Sequence, residues 1–160
     1  MIRVGALAVG MGCLAFRAAR AQSLTSPPGY MEYRADAIVA RAATAEAGLG
    51  AVIPAGAYVR VSLDGAAGAS WRNAAFHPSG RIDAVGRFLL DPFRETPVAL
   101  SLGGGVSVPY VDGQRVRPYL TLVADLEGRK RGAITPAVQI GLGGGARVGV
   151  VLRTSVPRWR

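Results

Sequence analysis

The feature that most constrains this chain is a period-two alternation of apolar and polar side chains, repeated along most of its 160 residues. In a strand, successive side chains point to opposite faces, so such an alternation sorts residues onto two surfaces. It is clearest over 98–110. Val98, Leu100, Leu102, Val106, Val108 and Tyr110 share one parity, and Ala99, Ser101, Gly103, Gly105 and Ser107 share the other. Similar splits occupy 57–71, 81–90, 115–127, 135–144 and 146–156, with two weaker segments at 32–41 and 43–53. Turn signals separate them: Pro54-Ala55-Gly56, a loop from Arg72 to Gly80, Asp91 to Pro97, Val111-Asp112-Gly113 and Gly128 to Gly132. The pattern predicts eight strands of about ten residues each. Two points stay open. The alanine-rich stretch 34–51 also fits a helical stripe through Ala35, Ile38, Val39 and Ala42. Residues 135–156 read as one strand or as two parted at Gly143-Gly144-Gly145.

Charge follows the same parity. Arg34, Asp36, Glu46, Arg60, Asp64, Arg81, Asp83, Arg87, Arg117, Asp125 and Arg153 all oppose the apolar set. A soluble sandwich buries its apolar face and wets its charged one; a membrane barrel does the reverse. Three features favour the barrel. The apolar face is built from Val, Leu and Ala, on segments that suit the 9–11 residues a strand needs to cross a bilayer. Tyr30, Tyr33, Tyr58, Trp71, Phe93, Tyr110 and Tyr119 sit near strand ends, where an interfacial girdle belongs. The charged face is crowded with glycine and small residues, and an eight-stranded barrel has room inside for packed side chains but not for a pore. Charges there must pair, and the strands must close, because lipid satisfies neither a lone charge nor an open edge. The expectation is a lumen filled by a salt-bridge network of Glu46, Arg60, Asp64, Arg81, Asp83, Arg87, Arg117, Asp125 and Arg153.

The phrases Ser101-Leu102-Gly103-Gly104-Gly105, Gly141-Leu142-Gly143-Gly144-Gly145 and Arg117-Pro118-Tyr119-Leu120 are similar to strand phrases of small outer-membrane proteins. Over roughly 30–157 the chain resembles the eight-stranded outer-membrane β-barrels of Gram-negative-type bacteria. The resemblance implies an all-β, antiparallel, up-and-down transmembrane barrel in the bacterial outer membrane. Its partners would be outer-membrane lipid and the barrel-assembly machinery, with no nucleic acid. Its role would be structural or in envelope interaction, without catalysis or cofactor. Such proteins end on an aromatic residue, whereas this chain ends Val156-Pro157-Arg158-Trp159-Arg160. No oligomeric state follows from the sequence.

The first segment reads as a secretory leader. Met1-Ile2-Arg3 is a short basic start, Val4 to Phe16 is an uncharged run dominated by apolar and small residues, and Ala19-Arg20-Ala21 places small residues for cleavage before Gln22. The organisation expected is thus a signal peptide at 1–21, a short linker at 22–29 and a barrel at 30–157. Removing Arg3, Arg17 and Arg20 lowers the formal charge from +9 to +6. The sole cysteine, Cys13, leaves with the leader, so the mature chain has no disulfide and no thiol nucleophile. No later stretch is long and apolar enough for a transmembrane helix.

Other motifs carry less. His77-Pro78-Ser79 has the His-x-Ser spacing of an outer-membrane lipid A deacylase, with Asp83 or Asp91 available to orient a base. It defines an alternative, a lipid-modifying barrel enzyme, although Pro78 and Gly80 make the segment read as a loop turn. A second alternative is a soluble periplasmic β-barrel holding an apolar ligand. The glycine triplets lack the Lys-Ser/Thr of a phosphate loop and read as relief of crowding in a curved wall. Arg129-Lys130-Arg131 reads as a solvated turn. One histidine and scattered carboxylates offer no metal-ligand cluster.

Overall fold

The computed structural model describes residues 29–93 and 95–155. The leader, most of the linker and the last residues of the expected barrel lie outside the described residues. Eight antiparallel strands follow in order: β1 Tyr30–Val39, β2 Ala43–Pro54, β3 Val59–Arg72, β4 Ala75–Leu89, β5 Ala99–Val111, β6 Tyr119–Glu127, β7 Ile134–Leu142 and β8 Ala146–Ser155. Each pairs with the next, and β1 pairs with β8, so the sheet is a closed barrel. Closure pairs every strand on both sides and leaves no edge, which a lipid environment requires. Following cross-strand partners once round the barrel from Ala35 returns to the line of β1 about ten residues along. For eight strands that stagger corresponds to a tilt of about 40° from the axis.

The stretch 34–51 is strand throughout, apart from the short turn at 40–42. Its alanines have helix propensity, but the 3.6-residue stripe is weaker than the parity that places Arg34, Asp36 and Glu46 on one face. Residues 134–155 form two strands. Gly143, Gly144 and Gly145 all have positive φ and make the turn between them, so this triplet is a connection, not part of the wall. The expected loop from Arg72 to Gly80 is corrected. Only Asn73 and Ala74 connect β3 to β4, both at positive φ, the two-residue geometry that matches strand twist. Pro78 is tolerated because β4 runs on beyond β5 only briefly there, and Ser79 is the first residue of β4 to pair with it.

The faces fall as the membrane alternative requires. Leu63, Leu100, Leu102, Leu120, Leu122, Ile140 and Val148 point outward, and Leu120 is 79% exposed. Glu32, Asp83, Arg87, Asp125 and Gln139 are buried inside. A soluble barrel with an apolar interior is therefore contradicted, since its grease is on the outside. Aromatic clusters mark both ends of this apolar band. Tyr58 stacks on Phe88 at 5.8 Å and meets Phe93 edge-on, near the end that carries Tyr30 and Ser155. Trp71 meets Phe76 at 4.5 Å near the far end, where Tyr110 also faces out. From Val59 to Trp71 on β3, at about 3.3 Å per residue and a tilt of about 40°, the clusters stand about 30 Å apart, the thickness of a bilayer core. Tyr30 and Tyr119, expected in the girdle, share the inward parity of their strands instead.

Candidate functional site

The lumen is where the chain concentrates its chemistry. Near the terminal end, Arg153 contacts Glu32 at 2.6 Å and Asp125 at 2.7 Å, and also ion-pairs with Glu127. Arg60 donates to the same Glu127 at 2.5 Å and lies over the Tyr30 ring at 5.3 Å. Arg87 lies 3.0 Å from Asp125 and 3.4 Å from Glu32, and donates to Ser62 at 2.8 Å; Ser62 in turn donates to Asp64. Nearer the far end, Arg81 contacts Asp36 at 2.5 Å, Asp83 at 3.2 Å and Glu46 at 3.6 Å. Arg34 binds Asp36 at 2.8 Å, and Arg147 binds Asp83 at 2.7 Å.

Gln139 joins the two halves. Its Oε1 accepts from Arg34 at 2.5 Å and from Arg147 at 3.1 Å, while its Nε2 donates to Asp125 at 2.6 Å. The result is a bonded path across the barrel interior. Below it, toward the terminal end, the inward positions Val52, Leu89 and Ala99 are buried.

Register explains how long side chains fit. Arg34 lies opposite Gly48, Asp64 opposite Gly50, Glu46 opposite Gly68, Arg87 opposite Gly103, Arg147 opposite Gly141 and Asp36 opposite Gly149. A Cβ at Gly50 would stand 2.0 Å from Asp64 Oδ1, and one at Gly149 equally close to Asp36 Oδ1. The glycines are seats for charged neighbours. Register also sets like charges side by side: Asp36 opposite Glu46, Asp64 opposite Asp83, Arg60 opposite Arg87. Such neighbours repel. The compensating partners include side chains from more distant strands: Arg81 of β4 contacts Asp36 and Glu46, and Arg147 of β8 contacts Asp83.

Of the residues expected in this network, Glu46, Arg60, Asp64, Arg81, Asp83, Arg87, Asp125 and Arg153 converge in the lumen. Arg117 does not. It lies exposed in the 112–118 connection, because β6 begins only at Tyr119. The network also takes in Glu32, Arg147 and Gln139, which are not among the expected residues. The first two had the right parity at the edges of their segments, and Gln139 carries no charge to flag it. His77 and Ser79 share the inward face of β4, near the far end. No hydrogen bond joins them among the described residues, Asp83 is held by Arg81, Arg147 and Ser107, and Asp91 sits at the opposite end. A nucleophile, base and orienting acid are not assembled here. Among the described residues, no group of three or more His, Cys, Asp or Glu side chains is arranged to hold a metal ion.

The fold matches solved membrane barrels. Neisserial surface protein A superposes with a TM-score of 0.63 at 13% identity, over 82% of this chain and 99% of that one. A de novo designed transmembrane β-barrel gives 0.55 at 15% identity, over 81% and 98%. The N-terminal β-barrel domain of Pseudomonas aeruginosa OprF gives 0.51 at 12%, over 81% and 99%. This chain has the fold of a small outer-membrane β-barrel. No protein-family model and no curated protein matches its sequence.

Proposed function

We propose that this chain is a non-enzymatic barrel of the bacterial outer membrane, with a structural or envelope-interaction role and a lumen that is plugged. The observation that carries this reading is the bonded path through Arg153, Asp125, Gln139, Arg34 and Arg147 across the interior. An ion entering the lumen would have to break several charge-assisted hydrogen bonds in a site shielded from water. The outward apolar band and its two aromatic clusters fit a bilayer, and the similarity to neisserial surface protein A and the OprF barrel domain favours the outer membrane. Outer-membrane lipid is the partner this exterior fits, and the barrel-assembly machinery is the route such a closed sheet would take into the membrane.

Two measurements test the reading. Fractionated cells should carry the protein in the outer membrane, with a gel mobility that changes on boiling. Purified barrel in planar bilayers should give no discrete conductance steps. Regular ion-conducting openings would refute the plugged lumen, and recovery in the soluble periplasm would refute the membrane assignment.

A further inference from the structure

At the far mouth of the barrel the charge matching of the lumen stops. A cavity of about 370 Å³ opens there, its polar lining including Arg41, Thr44, Glu46, Ser70, Arg72 and Arg81. Arg34, Arg60, Arg81, Arg87, Arg147 and Arg153 each have a carboxylate within 4.0 Å. Arg41 and Arg72 have no ion-pair partner among the described residues. Arg72 Nε is moreover shut away from solvent without an acceptor. A buried guanidinium N–H left unmatched is costly, and an oxyanion is the group that relieves it. Among the described lining residues the one carboxylate is Glu46, whose Oε2 lies 3.6 Å from Arg81 and accepts no hydrogen bond. Thr44 donates to Ser70 at 2.9 Å on the wall, and Gln114 and Tyr119 add further polar atoms. The connections at 40–42, 73–74 and 143–145 are short. The longer one at 112–118 adds exposed Arg115 and Arg117 against one acid, Asp112. Trp71 and Tyr110 place this mouth at the interfacial level, where phosphate groups of lipid concentrate.

We propose that this cup binds a phosphate-bearing group, with Arg41 and Arg72 holding its oxygens. The guanidinium fork suits phosphate oxygens, and the volume admits a phosphate with a glycerol- or sugar-sized remainder. The source is either a lipid headgroup or a soluble phosphate monoester.

The test uses the folded barrel in maltoside micelles, titrated with glycerol 3-phosphate while arginine Nε–H signals are followed by NMR. The Arg72 signal should move saturably, and less so at high salt. R41Q/R72Q should weaken binding at least about tenfold. Arg129→Gln/Lys130→Gln, at the other end, should leave it unchanged. Arg41 is exposed on a connection, so R41Q alone keeps the test alive if the double variant does not fold. A parallel arm places the barrel in phosphatidylcholine vesicles containing phosphatidic acid and looks for contact between that lipid's phosphorus and Arg72. Contact without binding of the free ester assigns the site to lipid; binding of the free ester assigns it to a solute. Neither signal, or binding that survives R41Q/R72Q and R41Q alike, overturns the proposal.

Discussion

Gln139 shows how much a single uncharged side chain can carry. It is fully buried and satisfies Arg34, Arg147 and Asp125 at once. Gln139→Leu leaves those three charged groups short of a partner each, so unfolding in urea should show a loss of about 3 kcal/mol. Arg153→Met is expected to cost more, about 3–5 kcal/mol, because Glu32, Asp125 and Glu127 lose a shared counter-charge in a buried site. The two substitutions share Asp125, so the double variant should lose less than the sum of the singles. Parity alone identified Arg153 as inward. Parity sets Gln139 on that same face, but nothing in one dimension marks its role, which comes from three strands meeting around it.

At the scale of elements, the β3–β4 hairpin and the glycines of β5 are the sensitive points. Ala74 holds φ of 60° in a two-residue turn after Asn73. Ala74→Gly creates the Asn-Gly pair such turns prefer and should stabilise the barrel by about 1 kcal/mol, read from the urea midpoint. Gly105 is the opposite case. A Cβ there would stand 2.0 Å from the carbonyl oxygen of Ala84, in backbone that has no room to move. Gly105→Val should abolish the heat-dependent mobility shift by parting β4 from β5. Gly65→Ala, which meets nothing within 4 Å, should leave that shift intact. The alternation made eight strands legible, including both uncertain segments. It misplaced the β3–β4 turn because Pro78 and Gly80 resemble loop residues when their pairing partners are unknown.

For the whole molecule, the bilayer is the solvent that gives the two faces their meaning. Leu63 faces outward near the middle of the apolar band, and Leu90 lies at the terminal rim. Leu63→Arg should cost about 2–4 kcal/mol in vesicles, and Leu90→Arg no more than about 1, because the penalty for a charge falls toward the interface. Equal costs at both depths would contradict the membrane orientation of the exterior. Local sequence was enough to determine the strands, their inward and outward parity and the need for closure, since side-chain alternation is a property of each strand by itself. Only the tertiary structure decided which charge meets which. Cross-strand register places several like charges together and glycines opposite the long side chains, so counter-ions for those charges come from more distant strands, as Arg81 and Arg147 do for Asp36, Glu46 and Asp83. It also left Arg41 and Arg72 without ion-pair partners among the described residues at one mouth, because most of the ion matching depends on distances between strands that no spacing along the chain encodes.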